Sequence, residues 1–474
     1  MKILYKLVLI SLLANATFVE EAKGELPGKP NIVFLLADDM NRDTWGIYGS
    51  LDCKTPHIDQ LATGSMRFER AFCSVAMCAP FRQELYSGRS PWRTGTLPNH
   101  SKSRPETRSI VHYLEPLGYR VALLGKSHVG PKECYPFEYQ AAGGNKNDDQ
   151  NPFFLKAAGE FINACTEEGS PFCLFIASND SHGPLTTGDR SVYDPASFSI
   201  PPYWIDTPEL RDELVKYYAE ISNFDNLVGE MRKELEDRGL WESTIFIVCS
   251  EQGAHLPFAK WTCYGNGLHS GLLAHWEGVI EPGSVAEELV SIADITPTLV
   301  EAAGGRLKPE DCDGESFLRM LKGENQVLHP YLYGAFTNCN ILGNQDRIFP
   351  IRVIRSKSFS LIYNPNYKNI TSNITLDKAL AMLEDSSHVG NDVASSWVKL
   401  LQIEPTAEPL VYKLHHRPEY ELYHLDKDPY ELRNQIHNPS YQDVAEEMKK
   451  QLHAKLAEFG DSDPISTEKS LVAD

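Results

Sequence analysis

A candidate reactive cysteine is the first chemical feature of the sequence, in the stretch Cys78-Ala79-Pro80-Phe81-Arg82. Proline suits the first turn of a helix, whose N–H groups lack intrahelical partners, so the spacing predicts that Cys78 lies at a helix start. Arg82 follows four residues later and returns to the helix face of Cys78. Its guanidinium is therefore expected to hold oxygen atoms that form on the cysteine side chain. The pattern predicts a nucleophile in a site that accepts an anion.

Polar groups follow four apolar runs, each of which predicts a strand buried on both faces. The runs are 31–37, 119–125, 171–177 and 244–250. The groups that follow them are Asp38 and Asp39, then Lys126 and His128, then Asn179, Asp180 and His182, and finally Glu251 and Gln252. Open parallel α/β sheets bind ligands outside the carboxyl ends of their strands, so we expect these groups to surround one crevice.

A hard divalent cation is predicted at the end of the first strand. Asp38 and Asp39 repel each other as neighbours, and a bound cation explains the pair better than a solvated turn, which is the alternative interpretation. Glu251 and Gln252 add a carboxylate and an amide oxygen. Since this set contains neither imidazole nor thiolate, it favours Ca²⁺ or Mg²⁺ over zinc, and its mixed donors favour calcium.

The elements around these groups predict an α/β fold with a large, mostly parallel sheet flanked by helices. The amphipathic segment 210–238 is long enough for the crossover helix before the fourth strand. From about residue 351, shorter alternating strands at 351–355 and 359–363 predict a small antiparallel subdomain, followed by a tail helix at 441–458. We therefore expect a signal peptide over 1–16, a catalytic domain over 17–345 and a C-terminal α+β subdomain over 346–474.

Residues 1–16 have a lysine-bearing start, an apolar core and the end Ala14-Asn15-Ala16, the pattern of a cleaved signal peptide. The alternative, a short membrane anchor, is disfavoured because the apolar run is shorter than the roughly 20 residues of a membrane span. We expect an exported protein without a stable membrane span. It would be periplasmic or secreted in a bacterium, and lysosomal or extracellular in a eukaryote.

The net charge of −20 argues against nucleic acid or an acidic membrane surface as a partner, because both need basic patches. It also disfavours long sulfated polymers, so an anionic substrate would be held by a local cluster of cations around a single terminal unit. Ten cysteines are too few for a disulfide-dense scaffold, although one or two bridges are compatible with the sequence. Cys173 and Cys249 lie in apolar runs and are expected to be core thiols.

The C-x-P-x-R core, continued by Leu85 and by Ser87-Gly88, resembles the signature of the type I sulfatases. The acidic pair and the Thr55-Pro56-His57-Ile58-Asp59 helix precede it in the order found in that family. The resemblance implies an alkaline-phosphatase-like sulfatase fold and conversion of Cys78 to formylglycine, whose hydrated aldehyde is the nucleophile. A formylglycine-generating enzyme is thus an expected partner. The implied ligands of one calcium ion are Asp38, Asp39, residue 78, Glu251 and Gln252.

The resemblance also implies a role for each candidate residue. Arg82 and His128 would hold the formylglycine hydroxyls, and His182 would lie beside the leaving group. Lys126 and Lys260 would neutralise the sulfate oxygens. Asp180 is expected to contact a sugar hydroxyl or the leaving nitrogen, and its alternative role is to cap the following turn.

Three positions depart from the family pattern. Glu251 and Gln252 stand where the family usually has Asp and Asn, so both predicted ligands are one methylene longer with the same donor chemistry. Phe81 stands where the family most often has a small residue. Because the modifying enzyme reads mainly the cysteine, proline and arginine, we expect conversion of Cys78 to proceed.

Four further stretches resemble the sulfamidases, the heparan N-sulfatases: 125–131 (GKSHVGP), 135–139 (YPFEY), 359–367 and 417–423. This resemblance implies exolytic removal of sulfate from an N-sulfoglucosamine unit of a sulfated saccharide. The alternatives are an O-sulfatase on another sulfated glycan, a formylglycine-dependent phosphodiesterase and a non-catalytic glycan-binding homologue. The sequence leaves the oligomeric state open, a homodimer included.

Overall fold

The computed structural model describes residues 28–141, 148–337, 348–371, 392–400 and 408–473. The predicted signal peptide and the predicted boundary between residues 345 and 346 lie outside the described residues. Within the described ranges, no helix combines the length and the apolar composition that crossing a membrane requires.

Nine strands form the larger sheet, and four neighbouring ones are those that the apolar runs predicted. The strands are β1 (Asn31–Ala37), β2 (Met66–Phe72), β3 (Arg120–Gly125), β4 (Glu138–Gln140), β5 (Phe172–Ala177), β6 (Thr244–Ser250), β7 (His269–Ser270), β8 (Leu272–His275) and β9 (Val285–Ser291). Their order is β4-β3-β5-β1-β6-β8-β2-β7, and β9 pairs with β2. Strands β3, β5, β1 and β6 run parallel, whereas β8 is antiparallel to β6 and to β2.

Helices such as Asn151–Glu168 pack against the central strands of this sheet, which explains why those strands are apolar on both faces, whereas Gln442–Glu458 packs against the smaller sheet. The helices are α1 (Pro56–Ala62), α2 (Cys78–Ser87), α3 (Pro91–Thr94), α4 (Ile110–Leu114), α5 (Asn151–Glu168), α6 (Pro208–Asp237), α7 (Gly265–Leu268), α8 (Ile295–Ala302), α9 (Leu318–Leu321), α10 (Asp392–Leu400), α11 (Glu408–His415), α12 (Gln442–Glu458) and α13 (Pro464–Ala473). The predicted crossover helix is α6, which begins after Thr207, whose hydroxyl accepts a hydrogen bond from the N–H of Leu210. The α/β prediction is confirmed.

The smaller sheet is antiparallel, as predicted. It contains β10 (Leu332–Phe336), β11 (Ile351–Arg355), β12 (Phe359–Tyr363) and β13 (Tyr420–His424) in that order. Its first strand precedes the predicted start of the C-terminal subdomain at residue 346, because β10 pairs with β11 and not with the larger sheet. A buried ion pair between Arg352 and Asp461 ties β11 to the segment after α12.

Nine of the ten cysteines lie in the described part of the chain, and all nine are buried free thiols. Cys173 and Cys249 are fully buried within β5 and β6, which confirms the prediction that they are core thiols. The tenth, Cys339, lies outside the described residues.

Candidate active site

The carboxyl ends of β1, β3, β5 and β6 deliver the predicted polar groups to one edge of the larger sheet. Asp38 and Asp39 follow β1, Lys126 follows β3, His182 follows β5, and Glu251 and Gln252 follow β6. Apart from Lys126 and His182, these side chains are almost completely buried. The structure thus brings these predicted residues together.

Cys78 is the first residue of α2, as its spacing from Pro80 and Arg82 predicts. Its Sγ lies 3.4 Å from Oδ1 of Asp38 and 3.7 Å from Oδ1 of Asp39. Burial raises the pKa of the Cys78 thiol, and the nearby carboxylates of Asp38 and Glu251 raise it further. An unmodified cysteine here is therefore a neutral thiol and a weak nucleophile, since thiol reactivity depends on the thiolate.

The acidic cluster fits a hard divalent cation. Asp38, Asp39, Cys78 and Glu251 each offer one donor atom, and these atoms lie within 4.8 Å of one another. Oε1 of Glu251 and Oε1 of Gln252 are buried without a hydrogen-bond partner among the residues that the structure describes. Oε1 of Glu251 is ion-paired with Arg82, and the amide nitrogen of Gln252 is the atom that faces Asp39. The clustered donor atoms, rather than these two oxygens, therefore indicate the cation position.

The orientation of Gln252 is compatible with the same role. Its amide nitrogen now donates to Oδ1 of Asp39 and lies 3.3 Å from the Cys78 sulfur. Rotating the amide by half a turn would place its carbonyl oxygen there instead. Carboxylate and amide oxygens are ligands that calcium prefers.

Cations balance the acidic cluster. Nζ of Lys126 donates to Asp38, and Nζ of Lys260 lies 2.6 Å from Oδ2 of Asp39. Nε of Arg82 lies 2.8 Å from Oε1 of Glu251, an ion pair that lacks hydrogen-bond geometry. When all three carboxyl groups are ionised, three cations match them, and a bound divalent ion would leave the pocket positive. A pocket with that charge attracts an anion.

The ionisable groups respond to this environment in opposite directions. Burial favours the neutral form of Asp38, but Lys126, a hydrogen bond with Glu251, and Arg82 together hold the pKa of Asp38 well below its usual value. Burial raises the pKa of Glu251 to about 8, with Arg82 opposing the shift. One carboxyl of the cluster is therefore poised to lose a proton when a cation binds.

Two predicted histidines also lie at the site. Nε2 of His182 is 3.7 Å from Oδ2 of Asp39, while its Nδ1 is 2.8 Å from the carbonyl oxygen of Gly183. Burial, followed by Lys126 and Arg82, lowers the pKa of His128 to about 3, so this imidazole is neutral at physiological pH.

Asp180 lies apart from the cluster, with its side chain buried beneath the loop after β5. Its carboxyl accepts hydrogen bonds from Ser178, Thr187 and Asn223. Its carbonyl oxygen accepts from the N–H of Asp38 at 2.7 Å. Three side-chain donors within the fold already use this carboxyl, and none of them is a backbone N–H of the following turn. The contact with a sugar hydroxyl or the leaving nitrogen stays a prediction.

The sequence analysis missed His100 and Asn99. Nδ1 of His100 lies 2.8 Å from Nε2 of His128, and Nε2 of His100 lies 3.2 Å from the amide nitrogen of Asn99. Both residues belong to a connection without apolar periodicity, so neither motif nor strand end points to them. The structural signal at His100 is a left-handed backbone, which is costly for residues other than glycine and clusters at functional sites. Asp39, His100, His128 and Trp261 all show it.

Two family models match the chain. The model described as "Sulfatase" matches residues 30–305, and the model described as "N-sulphoglucosamine sulphohydrolase, C-terminal" matches residues 253–382. An "Ulvan-active sulfatase" of Formosa agariphila is 32% identical, over 93% of this chain and 82% of the relative. The "N-sulphoglucosamine sulphohydrolase" of Homo sapiens is 27% identical, over 89% of each chain.

Solved structures share the fold at lower sequence identity. One, a protein in complex with its substrate D-glucosamine-2-N,6-O-disulfate, has a TM-score of 0.71 at 17% identity and covers 92% of this chain and 99% of that one. A phosphonate monoester hydrolase of Agrobacterium radiobacter has a TM-score of 0.68 at 18% identity, over 91% and 96% of the two chains. The expected alkaline-phosphatase-like fold is thereby confirmed.

Proposed function

Because the chain belongs to the sulfatase family, close to the sulfamidase subgroup, we propose that it removes sulfate from a sulfated saccharide through a formylglycine made from Cys78. The observation that carries this proposal is the position of Cys78 on the first turn of α2, against Asp38, Asp39 and Lys260. A neutral thiol in a charge-balanced pocket is a poor catalyst, whereas an oxygen nucleophile at the same place has ligands, cations and an anion site around it.

Calcium is the proposed metal, held by Asp38, Asp39, residue 78, Glu251 and Gln252. When bound, it would act as a Lewis acid that favours ionisation of a hydroxyl on residue 78. The donor atoms of Asp38, Asp39, Cys78 and Glu251, which lie within 4.8 Å of one another, support this assignment. The longer side chains at positions 251 and 252 keep the donor types that calcium needs.

The chain's own residues then divide the remaining tasks. Arg82, fully buried, and His128 hold the oxygen atoms on residue 78. Lys126 and Lys260 exchange part of their contact with Asp38 and Asp39 for contact with the sulfate oxygens. There they stabilise the negative charge of the sulfate group in the transition state. His182 lies at the open side of the cluster with part of its ring exposed, and burial lowers its pKa. Its Nε2 can take a proton from solvent and pass it to the leaving atom.

The proposed substrate is an N-sulfoglucosamine unit at the end of a saccharide, attacked exolytically. The match of residues 253–382 to the C-terminal part of N-sulphoglucosamine sulphohydrolases supports it. An O-sulfatase acting on another glycan is the second candidate, and it is favoured by the greater identity to an ulvan-active sulfatase. The leader over 1–16 supports the further proposal that the protein is exported.

A panel of substrates tests the proposal. Sulfate release would be measured from N-sulfoglucosamine, from 6-O-sulfated glucosamine, from an ulvan oligosaccharide and from an aryl sulfate. Phenol release from a diaryl phosphate, a phosphate diester, would be measured for comparison. We expect the highest kcat/KM on N-sulfoglucosamine. Preference for an O-sulfated sugar would move the assignment to the second candidate. Faster hydrolysis of the phosphate would support a phosphodiesterase, and no hydrolysis of any ester by formylglycine-containing protein would support a non-catalytic homologue.

A further inference from the structure

A series of hydrogen bonds connects the start of α2 with His128. The backbone N–H of Ala79 lies 3.3 Å from Oδ1 of Asn99. Nδ2 of Asn99 lies 3.2 Å from Nε2 of His100, and Nδ1 of His100 lies 2.8 Å from Nε2 of His128. Residue 79 lies in the first turn of α2, residues 99 and 100 lie between α3 and α4, and residue 128 lies in the loop after β3. The series therefore links parts of the site that are distant in sequence.

The backbone N–H of Ala79 fixes the direction of the series, because it can only donate. The group of Asn99 that faces it must be the oxygen, since a rotated amide would set two donors against each other. The amide nitrogen of Asn99 then donates to Nε2 of His100. A neutral imidazole carries one proton, so that of His100 lies on Nδ1 and is donated to Nε2 of His128. The proton of His128 is consequently on Nδ1.

Nδ1 of His128 is buried and has no hydrogen-bond partner within the part of the chain that the structure describes. Both His100 and His128 adopt a left-handed backbone, with φ of 61° and 49°. Such a conformation is unfavourable for residues other than glycine, and it persists where the surroundings hold it in place. His100 and His128 are thus held in place and joined by one hydrogen bond, and Nδ1 of His128 is the buried nitrogen that remains available to a ligand.

We propose that Asn99 and His100 are positioning residues that hold His128 in the Nδ1–H tautomer, so that this N–H can donate to an oxygen on residue 78. The inference rests on the proposed function for the identity of that acceptor. The tautomer itself follows from the hydrogen bonds when both imidazoles are neutral. Burial lowers the pKa of His100, as do Lys126 and Lys260, and this keeps the imidazole neutral as the series requires.

The tautomer can be measured without any catalytic activity. The test uses full-length protein with unmodified Cys78, labelled with ¹⁵N-histidine, and the resonances of His128 are assigned by their loss in His128→Gln. The ¹⁵N shifts of a neutral imidazole distinguish the protonated from the unprotonated nitrogen. We expect Nδ1 of His128 to carry the proton and Nε2 to lack it. A proton on Nε2 in the unaltered protein would overturn the proposal.

Asn99→Asp is the informative variant because it keeps the shape and the acceptor for Ala79. The atom facing His100 changes from a donor to an acceptor, so His100 should move its proton to Nε2 and accept from Nε2 of His128. The tautomer of His128 is therefore expected to reverse. An unchanged His128 tautomer in folded Asn99→Asp protein would contradict the series.

The kinetics of the formylglycine-containing enzyme provide a second test of the proposal. Removing one positioned hydrogen-bond donor from a transition state typically lowers kcat by about 10²-fold or more. Asn99→Asp misplaces the His128 donor without removing it, so we expect kcat on an aryl sulfate to fall about 10- to 100-fold, with little change in KM. Ser101→Ala, in the same loop and outside the series, is the matched control. Equal kcat in Asn99→Asp and Ser101→Ala would count against the proposal.

A pair of variants at His100 keeps the test valid if Asn99→Asp does not fold. In His100→Asn, the amide nitrogen occupies the position of Nδ1 and can donate to His128, and asparagine tolerates the left-handed backbone. His100→Leu removes the donor. We expect His100→Asn to retain most of kcat and His100→Leu to lose about 10- to 100-fold. Equal losses of kcat in His100→Asn and His100→Leu would refute the role of His100. If the unaltered enzyme were inactive but His128 had the expected tautomer, only the proposed function would be refuted.

Discussion

Nζ of Lys260 lies 2.6 Å from Oδ2 of Asp39, and both side chains are buried. The same Nζ is 3.4 Å from Sγ of Cys78, so one cation connects a proposed metal ligand with the proposed nucleophile. Burial alone would lower the pKa of Lys260, but Asp39 and Cys78 raise it above its usual value. The lysine therefore stays charged, and it offers a positive group to any anion that approaches residue 78.

Replacing Lys260 should affect turnover more than folding. In Lys260→Ala the sulfate loses one charged donor and Asp39 loses a partner, so kcat/KM on an aryl sulfate should fall about 10²- to 10³-fold. Lys260→Arg should recover part of this loss because it keeps the charge. Lys233→Ala, exposed on α6, is the control. Unchanged kcat/KM in Lys260→Ala would remove this residue from the sulfate site.

Removal of divalent cations should reduce both activity and stability. Calcium that binds only the folded protein stabilises it by about 2.7 kcal/mol at a hundredfold excess over Kd. Calcium should therefore restore turnover after chelation and raise the Tm of the unaltered protein, but not the Tm of Asp38→Asn. Glu230→Gln, on the exposed face of α6, should respond like the unaltered protein. Full turnover in chelated protein shown to be metal-free would contradict the calcium assignment.

Asp180→Ala should act through the fold. The change deprives Thr187, Asn223 and Ser178 of their acceptor, and buried donors without partners typically cost about 1–3 kcal/mol each. We expect a lower Tm and equal proportional losses of kcat/KM on N-sulfoglucosamine and on an aryl sulfate, with the exposed Asp189→Ala as control. A loss confined to the saccharide would instead place Asp180 in substrate recognition.

The pH dependence of stability should show that the Glu220 carboxyl is protonated in the folded protein. This buried carboxyl accepts from the N–H groups of Thr186 and Thr187, and burial, followed by Asp180, raises its pKa to about 8. Between the usual pKa of a glutamate and pH 8, Glu220 therefore keeps a proton in the folded protein and loses it in the unfolded chain. The stabilisation of the folded state by this proton is fully present below about pH 4.5 and is lost as the pH rises toward 8. Glu220→Gln keeps the acceptor and removes the titration.

Thermal unfolding between pH 5 and pH 8 measures this effect. We expect the fall in Tm toward pH 8 to be smaller in Glu220→Gln than in the unaltered protein. Glu230→Gln, exposed on the same helix, is the matched control and should follow the unaltered protein. Identical slopes in all three proteins would show that Glu220 is already ionised at pH 5.

The central strands could be predicted because burial on both faces requires continuous apolar runs, as in β1 and β5. Since parallel strands end at one edge, the meeting of Asp38, Lys126 and Glu251 followed from the same pattern. β2 was missed because charged residues interrupt it, among them Glu69, which pairs with Arg42 and Arg67. Its burial is only partial, and its sequence resembles that of an exposed segment.

Side-chain direction was harder to predict than backbone position. A strand end places Asp180 near the crevice, but only the tertiary structure shows that Thr187 and Asn223 hold its carboxyl inward. His100 illustrates the opposite case, because its loop has no periodic pattern and the contact with His128 spans 28 residues of sequence. The position of β10 in the smaller sheet likewise depends on pairing with β11, which no local pattern specifies.

The mass of the peptide that contains residue 78 tests the central claim most directly. The peptide would be taken from protein that was produced with a formylglycine-generating enzyme and that hydrolyses an aryl sulfate, with Cys78→Ala produced in parallel. We expect formylglycine at residue 78 in the active protein and no turnover in Cys78→Ala. An intact cysteine in fully active protein, or full turnover in Cys78→Ala, would contradict the account.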